Sequence, residues 1–350
     1  MASWEGPDFF ANNWFCFRET VNISEVPEPA IARIAVDSKY WLWINGKLVV
    51  FEGGLKRGPN PNDTYFDEVD LKDYLKAGEN TIAVLVWHWG RNSFSHKNSG
   101  LSGFLFELNG KSKIVSDKSW KIQKHPSYGF TGAPHPNYRL AEYNIHYDAK
   151  KGNEEWIQPG YDDGGWEQAS ELGTPPVAPW NQLVKRPSPQ WFNSGLLDYT
   201  KVERITGSSL VDTIIAWLPE NAQITPFLKV KSSAGKMIDI RMDNYSGGSE
   251  YDIRSEYITR EGIQEFEALA WMNGHVVKYT LPKDVDVIEV KYRETGYNAP
   301  VLGSFSCNDD FYNTLWQKSL RTLQVCMRDN YFDCPDRERA QWWGDAVIEV

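Results

Sequence analysis

Three Asn-Gly pairs, Asn45-Gly46, Asn109-Gly110 and Asn273-Gly274, each sit between runs in which apolar and polar residues alternate. Both residues of such a pair tolerate the positive φ that a type I′ turn requires, so each pair predicts an antiparallel hairpin. The clearest case is IARIAVDSKYWLWINGKLVVFEGG. There Ile31, Arg33 and Ala35 alternate with Ala32, Ile34 and Val36, residues 40–44 lead into the turn and residues 47–51 follow. Downstream, residues 71–75 read as a short helical turn or loop, Gly78 as a stop and residues 81–89 as a buried strand. Residues 104–108 and 111–115 form a second hairpin. A proline-rich stretch, LGTPPVAPWNQLVKRPSPQWF (172–192), breaks the pattern and reads as a connector lying over the surface. Alternation then resumes in ITPFLKVKSS, in GKMIDIRMDNY with a turn at Gly235-Lys236, and in VIEVKYRETGY, while Asn273-Gly274 joins FEALAWM to HVVKYTL. The expected fold is mainly β: two antiparallel, jelly-roll-like β-sandwich domains, 1–195 and 196–303. Trp41, Trp43, Trp87 and Trp89 alternate on two of the strands, either as a sugar-binding platform or as one face of a core, and the tendency of aromatics to bury favours the core.

At Ser306 the period changes from two to 3.6. Tyr312, Leu315, Trp316, Ser319, Leu320, Leu323, Cys326 and Met327 fall on one helical stripe behind an Asn308 or Asp309 cap, predicting a helix of about twenty residues. It delivers the chain to YFDCPDRERAQWWGDA (331–346), and a second helix is expected from Asp345. Ala346, Val347, Ile348 and Val350 then begin an apolar face with no partner in the sequence. The expectation is that these 350 residues are the front part of a longer protein, with 304–350 opening an incomplete helical domain.

The 331–346 segment packs Asp333, Asp336, Glu338 and Asp345 among Arg337, Arg339, Trp342 and Trp343. Carboxylates beside guanidinium groups can have their pKa values pushed apart, as acid catalysis needs, and indole faces stack on the apolar side of a pyranose. A structural ion-pair turn with buried tryptophans would use the same residues.

Composition narrows the partners. The 37 basic and 47 acidic residues give a net charge of −10, which argues against nucleic acid or an anionic membrane and suits a neutral substrate. No apolar run reaches membrane-spanning length, and MASWEGPDFF has neither the basic residues nor the apolar stretch of a signal peptide. Cys16, Cys307, Cys326 and Cys334 form no C-x-x-C pair; Cys334 could be read as a nucleophile, but no histidine has a matching role. The six histidines show no metal-ligand spacing and read as surface or loop residues. No metal or cofactor is expected. There is no G-x-S-x-G elbow either.

The motif resembles the catalytic-domain entry of the α-L-rhamnosidases, inverting glycoside hydrolases with an (α/α)6 barrel. Their usual form is DCPQRDERLGWTGDA; this chain reads DCPDRERAQWWGDA, one residue shorter. Aligned from the right, the resemblance implies Glu338 as general acid, Trp342 as the tryptophan stacked on substrate and Asp345 as a second substrate-binding aspartate. Aligned from the left, it implies Asp333 as the aspartate that binds sugar hydroxyls. Arg337 and Asp336 both remain as partners of that pocket, with Asp336 the competitor for the acid. GSFSCNDDFYNTLWQKSLRT is similar to the family's first barrel helix and its lead-in, and the x-L-x-I-N-G-K and L-K-A-G-E-N-x-I-A-V-L-V patterns to its jelly-roll domain. PGYDDGGWEQAS (159–170) looks like a segment of galactose-binding-like sandwiches.

The resemblance implies hydrolysis of terminal α-L-rhamnosides, with the general base on a later helix beyond this sequence. It further implies a carbohydrate substrate, a periplasmic or extracellular setting ahead of a cytoplasmic one, and leaves a homodimer open. The alternatives are a non-catalytic carbohydrate-binding protein and a related barrel glycosidase for another sugar. The acid's pKa would have to be raised by burial near Trp342 and by Asp333 and Asp345, against Arg337 and Arg339.

Overall fold

The computed structural model describes residues 2–3, 11–55, 58–60, 62–111, 113–152, 154–207, 210–247 and 250–349. Val350, placed above on the last apolar face, lies outside them. The described chain is mainly β and forms two compact units, 1–128 with 151–188 and 129–150 with 189–350. The expected boundary at 195 therefore differs from the observed division in two ways. Strand Ile145–Asp148 pairs in parallel with Ser255–Ile258, which takes 129–150 into the second unit. Residues 304–350 also cluster with that unit rather than apart from it.

In the first unit two sheets face each other. One runs Ser170–Glu171, Ala2–Ser3, Gly103–Leu108, Ile31–Asp37, Thr64–Asp70, Leu183–Lys185; the other Glu167–Gln168, Lys121–Lys124, Asn13–Ile23, Gly78–His88, Lys39–Ile44, Lys47–Gly53. Phe15, Phe17, Tyr40, Leu42, Ile44, Val84 and Val86 meet Ala32, Ile34, Phe104, Phe106 and Leu108 between them. Each large side chain so buried contributes about 1.5–3 kcal/mol. Asn45 and Gly46 have φ of 53° and 78°, as the predicted type I′ hairpin requires.

Trp41, Trp87 and Trp89 are buried and Trp43 half-buried, but their face is the reverse of the inter-sheet core. Strand alternation sends Tyr40, Leu42 and Ile44 inward and Trp41 and Trp43 outward. There Trp14 stacks on Trp87 at 4.6 Å, on Trp41 at 5.6 Å and on Tyr128 at 3.9 Å, and Trp156 lies 5.8 Å from Trp43.

Two expectations for this unit are corrected. The proline-rich stretch is more than a surface connector: Leu183–Lys185 pairs in parallel with the strand Thr64–Asp70, and Trp180 is buried against Ala35. Arg186 from the same stretch makes a buried 3.1 Å ion pair with Asp67. Nor are all six histidines at the surface: His135 and His275 are exposed, but His88, His96 and His125 are buried, His88 at the end of a strand, with His88 Nδ1 3.0 Å from the Asp37 carbonyl and His96 Nε2 3.6 Å from its carboxylate. A buried carboxylate supplies what lets polar rings leave water.

In the second unit, the 22-residue strand Val211–Ser232 pairs with Lys201–Thr206, Gly262–Glu267, Met272–Pro282 and Asp286–Gly296. Asn273-Gly274 is not a hairpin turn. It lies inside the strand Met272–Pro282, opposite a register shift between Trp217 and Ala222. Asn273 is buried and donates to Ala222 O at 3.1 Å, and a Cβ on Gly274 would lie 2.4 Å from Asp243 Oδ1. The glycine serves close approach there. Helix Asp310–Val325 follows, capped by Asp309, whose Oδ1 accepts from Phe311 N at 2.9 Å; it has 16 residues, fewer than expected. Its lower end docks on the sheet: Gln223 Nε2 donates to Val325 O at 2.7 Å, and Arg321 Nη2 lies 2.9 Å from Glu294 Oε1. Val325 and Cys326 are buried with Trp271 and Phe332, whereas Phe311, Tyr312 and Leu315 are exposed.

Candidate active site

The helix end hands the chain directly to the charged motif. Phe332 N donates to Cys326 O at 2.6 Å, and the Phe332 ring is fully buried and stacked on Trp271 at 6.0 Å. From there the loop closes on itself: Asp333 N donates to Ala340 O at 2.9 Å, and Ala340 N returns a bond to Asp333 Oδ1 at 3.1 Å. Asp333 Oδ2 accepts from Cys334 Sγ at 3.4 Å. Burial pushes the Cys334 thiol up, so the thiolate needed for a nucleophile is disfavoured.

Arg339 fastens the inner side of the loop. It adopts φ of 50°, a conformation that costs a non-glycine residue about 1–3 kcal/mol and persists only where surroundings hold it. They do so here. The guanidinium lies 3.4 Å from the Trp271 ring centroid, donates to Pro335 O at 2.9 Å and Trp271 O at 3.2 Å, and pairs with Glu142 Oε1 at 3.1 Å. Asp252 Oδ1 stands 3.8 Å away. Arg328 covers the same indole at 4.9 Å, so Trp271 is shared by the helix end and the loop.

Turning Arg339 inward turns Glu338 to the other side. Glu338 Oε2 accepts the Trp342 indole N–H at 2.9 Å, while Oε1 faces Arg337 Nε at 3.3 Å and Arg139 Nε at 3.4 Å. Both guanidinium contacts exceed the usual 2.7–2.9 Å of a charge-assisted bond, so the indole is the closest partner. Arg139 and Arg337 also meet Glu250, the latter at 3.7 Å from its Oε2. The Trp342 ring is 44% exposed, which leaves surface free to stack.

Asp336 faces differently. It accepts from Asn244 Nδ2, and the Asp252 carboxyl acts on it electrostatically. Burial pushes Asp336 up to about 6, against the lowering effects of Asp252, Arg339 and Asn244, and burial pushes Asp252 well above the carboxylate range.

The structure thus brings Glu338, Arg337 and Trp342 into contact. Asp333 is held by its own loop, and Asp345 is exposed in the first turn of helix Trp343–Glu349; neither is a partner of Glu338. Arg339, expected beside Glu338, pairs with Glu142 instead, and Arg139 stands 3.4 Å from Glu338 in its place. Arg139, Glu142, Glu250, Asp252 and Trp271 were not singled out from sequence. No periodicity marks them, and Arg139 and Glu142 belong to a stretch assigned there to the first sandwich. Among the described residues no group of three His, Cys, Asp or Glu side chains is placed to hold a metal.

A family model described as the bacterial alpha-L-rhamnosidase 6 hairpin glycosidase domain matches residues 300–350. An alpha-L-rhamnosidase from Formosa agariphila is 25% identical over 383 residues, covering 97% of this chain and 37% of the relative. Another, from Streptomyces avermitilis, is 25% identical over 183 residues, covering 50% of this chain and 14% of the relative. The chain thus spans well under half the length of these relatives. Among solved structures, a GH78 family rhamnosidase of Bacillus sp. GL1 aligns with a TM-score of 0.86 at 17% identity, over 99% of this chain and 60% of that one. An alpha-L-rhamnosidase from Dictyoglomus thermophilum aligns at 0.75 and 20% identity, over 99% and 40%. At such identities the structural likeness shows the fold.

Proposed function

We propose that this chain, which matches the amino-terminal portion of bacterial α-L-rhamnosidases, supplies the acid side of an inverting α-L-rhamnosidase. The observation that carries the reading is the setting of Glu338: a mostly buried carboxylate bonded to a half-exposed indole, on a loop that Arg339 and Trp271 hold in place. Glu338 protonates the leaving oxygen. Trp342 stacks on the apolar face of the sugar, and Asp333, Arg337 and Asp345 bind its hydroxyls. Inversion requires a second carboxylate roughly 6.5–9.5 Å from the acid to activate water on the opposite face. That base comes from a later helix of the barrel, and the 350 residues alone are expected to turn over nothing.

Proton NMR of the longer protein acting on an aryl α-L-rhamnoside tests the reading. The first product is expected to be the β-anomer of L-rhamnose. The α-anomer appearing first would mean retention, and no turnover of any α-L-rhamnoside would favour a non-catalytic carbohydrate-binding protein.

A further inference from the structure

Glu338 belongs to a closed ring of alternating charges. Its Oε1 faces Arg337 Nε at 3.3 Å and Arg139 Nε at 3.4 Å, and both guanidinium groups also meet Glu250, Arg337 at 3.7 Å and Arg139 in a closer contact. Stretches of chain far apart in sequence build the ring, and Asn137 joins them. Its N donates to Tyr251 O at 3.0 Å, its Nδ2 donates to Arg337 O, and its Oδ1 accepts from Arg139 N at 2.9 Å. The roles proposed above leave Arg139 and Glu250 unused. Other titratable groups stand outside the ring. The Cys334 thiol lies against the Glu338 backbone, Arg339 pairs with Glu142 and stands 3.8 Å from Asp252, Asp336 accepts from Asn244, and Asp333 is bonded to Ala340.

A general acid has to exist in two states. It holds its proton before the glycosidic bond breaks and is an anion just after. A cation within about 4–6 Å favours the anion by about 1–3 pKa units, so two guanidinium groups acting alone would strip the acid of its proton before substrate arrived. Glu250 changes that balance. It gives a negative charge to the same cations, and its hydrogen bond raises the Arg139 guanidinium above the ordinary value, ahead of the weaker effect of Glu338. Two cations less one anion leave a single net positive charge beside Glu338, a field that tolerates both of its forms. Resting on the glycosidase reading above, we propose that Arg139 and Glu250 are positioning residues acting through Glu338: Arg139 steadies the anion left by proton transfer, and Glu250 holds back both guanidinium groups so that the proton is in place beforehand. In that step the Glu338 O–H bond breaks and its electron pair stays on the carboxylate. The proton joins the leaving oxygen, which keeps the electron pair of the glycosidic bond, and the carboxylate then takes a proton from solvent.

The test follows kcat/KM for a rhamnosyl disaccharide against pH, in the longer protein and in its Arg139→Gln, Arg139→Lys and Glu250→Gln variants. The alkaline limb reports loss of the acid's proton. It is expected to move up by about one pH unit in Arg139→Gln, which removes a cation, and down by about one in Glu250→Gln, which removes the counter-charge. Arg139→Lys keeps the cation and should restore most of the wild-type profile. Cleavage of 4-nitrophenyl α-L-rhamnoside, whose leaving group needs little protonation, reads damage to the fold separately. Limbs that stay in place or move the same way in both glutamine variants, with the aryl substrate still cleaved, overturn the proposal and leave the glycosidase reading intact. Loss of aryl cleavage in all three variants makes the ring a structural brace and overturns it too. A wild-type protein that cleaves neither substrate overturns that reading and this proposal with it.

Discussion

Two tryptophan-rich regions of this chain use the same side chain to opposite ends. In the first unit, Trp14, Trp41 and Trp87 lie against one another on the reverse face of a sheet, each no more than 2% exposed. At the motif, Trp342 and Trp343 are 44% and 89% exposed, and Trp342 gives its indole N–H to a carboxylate. Aromatic density alone does not mark a sugar site. A sheet surrounds an indole with neighbours, whereas a loop fastened from below can present one with its face open and its polar edge on a carboxylate.

Truncating the buried cluster should have the largest effect on stability. Trp87→Ala is expected to cost about 3–5 kcal/mol in urea unfolding of the chain, as a large aromatic lost from a packed site does, without changing sugar binding at the motif. If the variant bound sugar more weakly at unchanged stability, the cluster would be a platform after all. The site's own foundation comes next. Arg339→Met leaves Glu142 and Asp252 without their guanidinium and is expected to cost about 3 kcal/mol, part of it recovered by adding Glu142→Gln. A neutral effect on stability would separate the loop from its foundation.

Sequence showed the scaffold where the cause was local. Asn45-Gly46 turned the chain because its own φ values sufficed, and the cap at Asp309 followed from one side chain and the next turn. Asn273-Gly274 carried the same signal and meant something else, because the register shift opposite it and Asp243 are distant in sequence. The candidate site was legible to the same degree. Glu338, Arg337 and Trp342 are close in sequence and in space. Arg139 and Glu250 reach them only through the fold, and which way Arg339 points depends on Trp271.

Smaller effects sharpen the contrast at the open end of the loop. Trp342→Ala is expected to weaken sugar binding about tenfold, a loss on the order of 1–2 kcal/mol, while barely moving the unfolding midpoint, since the ring is half out of the protein. Isothermal titration beside a melting curve checks both. A last effect is one of pH. Asp336 binds its proton more tightly folded than unfolded, with a folded value of about 6 against an ordinary 3.8, so its contribution to stability falls as pH rises from about 4 through about 6. Asp336→Asn removes that loss. Its melting temperature relative to wild type should rise across this window and level off above it.

The acid assignment is tested most directly by leaving-group dependence in the longer protein. Glu338→Gln is expected to slow hydrolysis of a disaccharide, whose leaving group must be protonated, about 10²–10⁴-fold, and to spare much of the activity on an activated aryl rhamnoside. Asp336→Asn should affect both substrates alike. If instead Glu338→Gln cleaves both normally while Asp336→Asn loses only the disaccharide, the acid is Asp336 and the account of Glu338 fails.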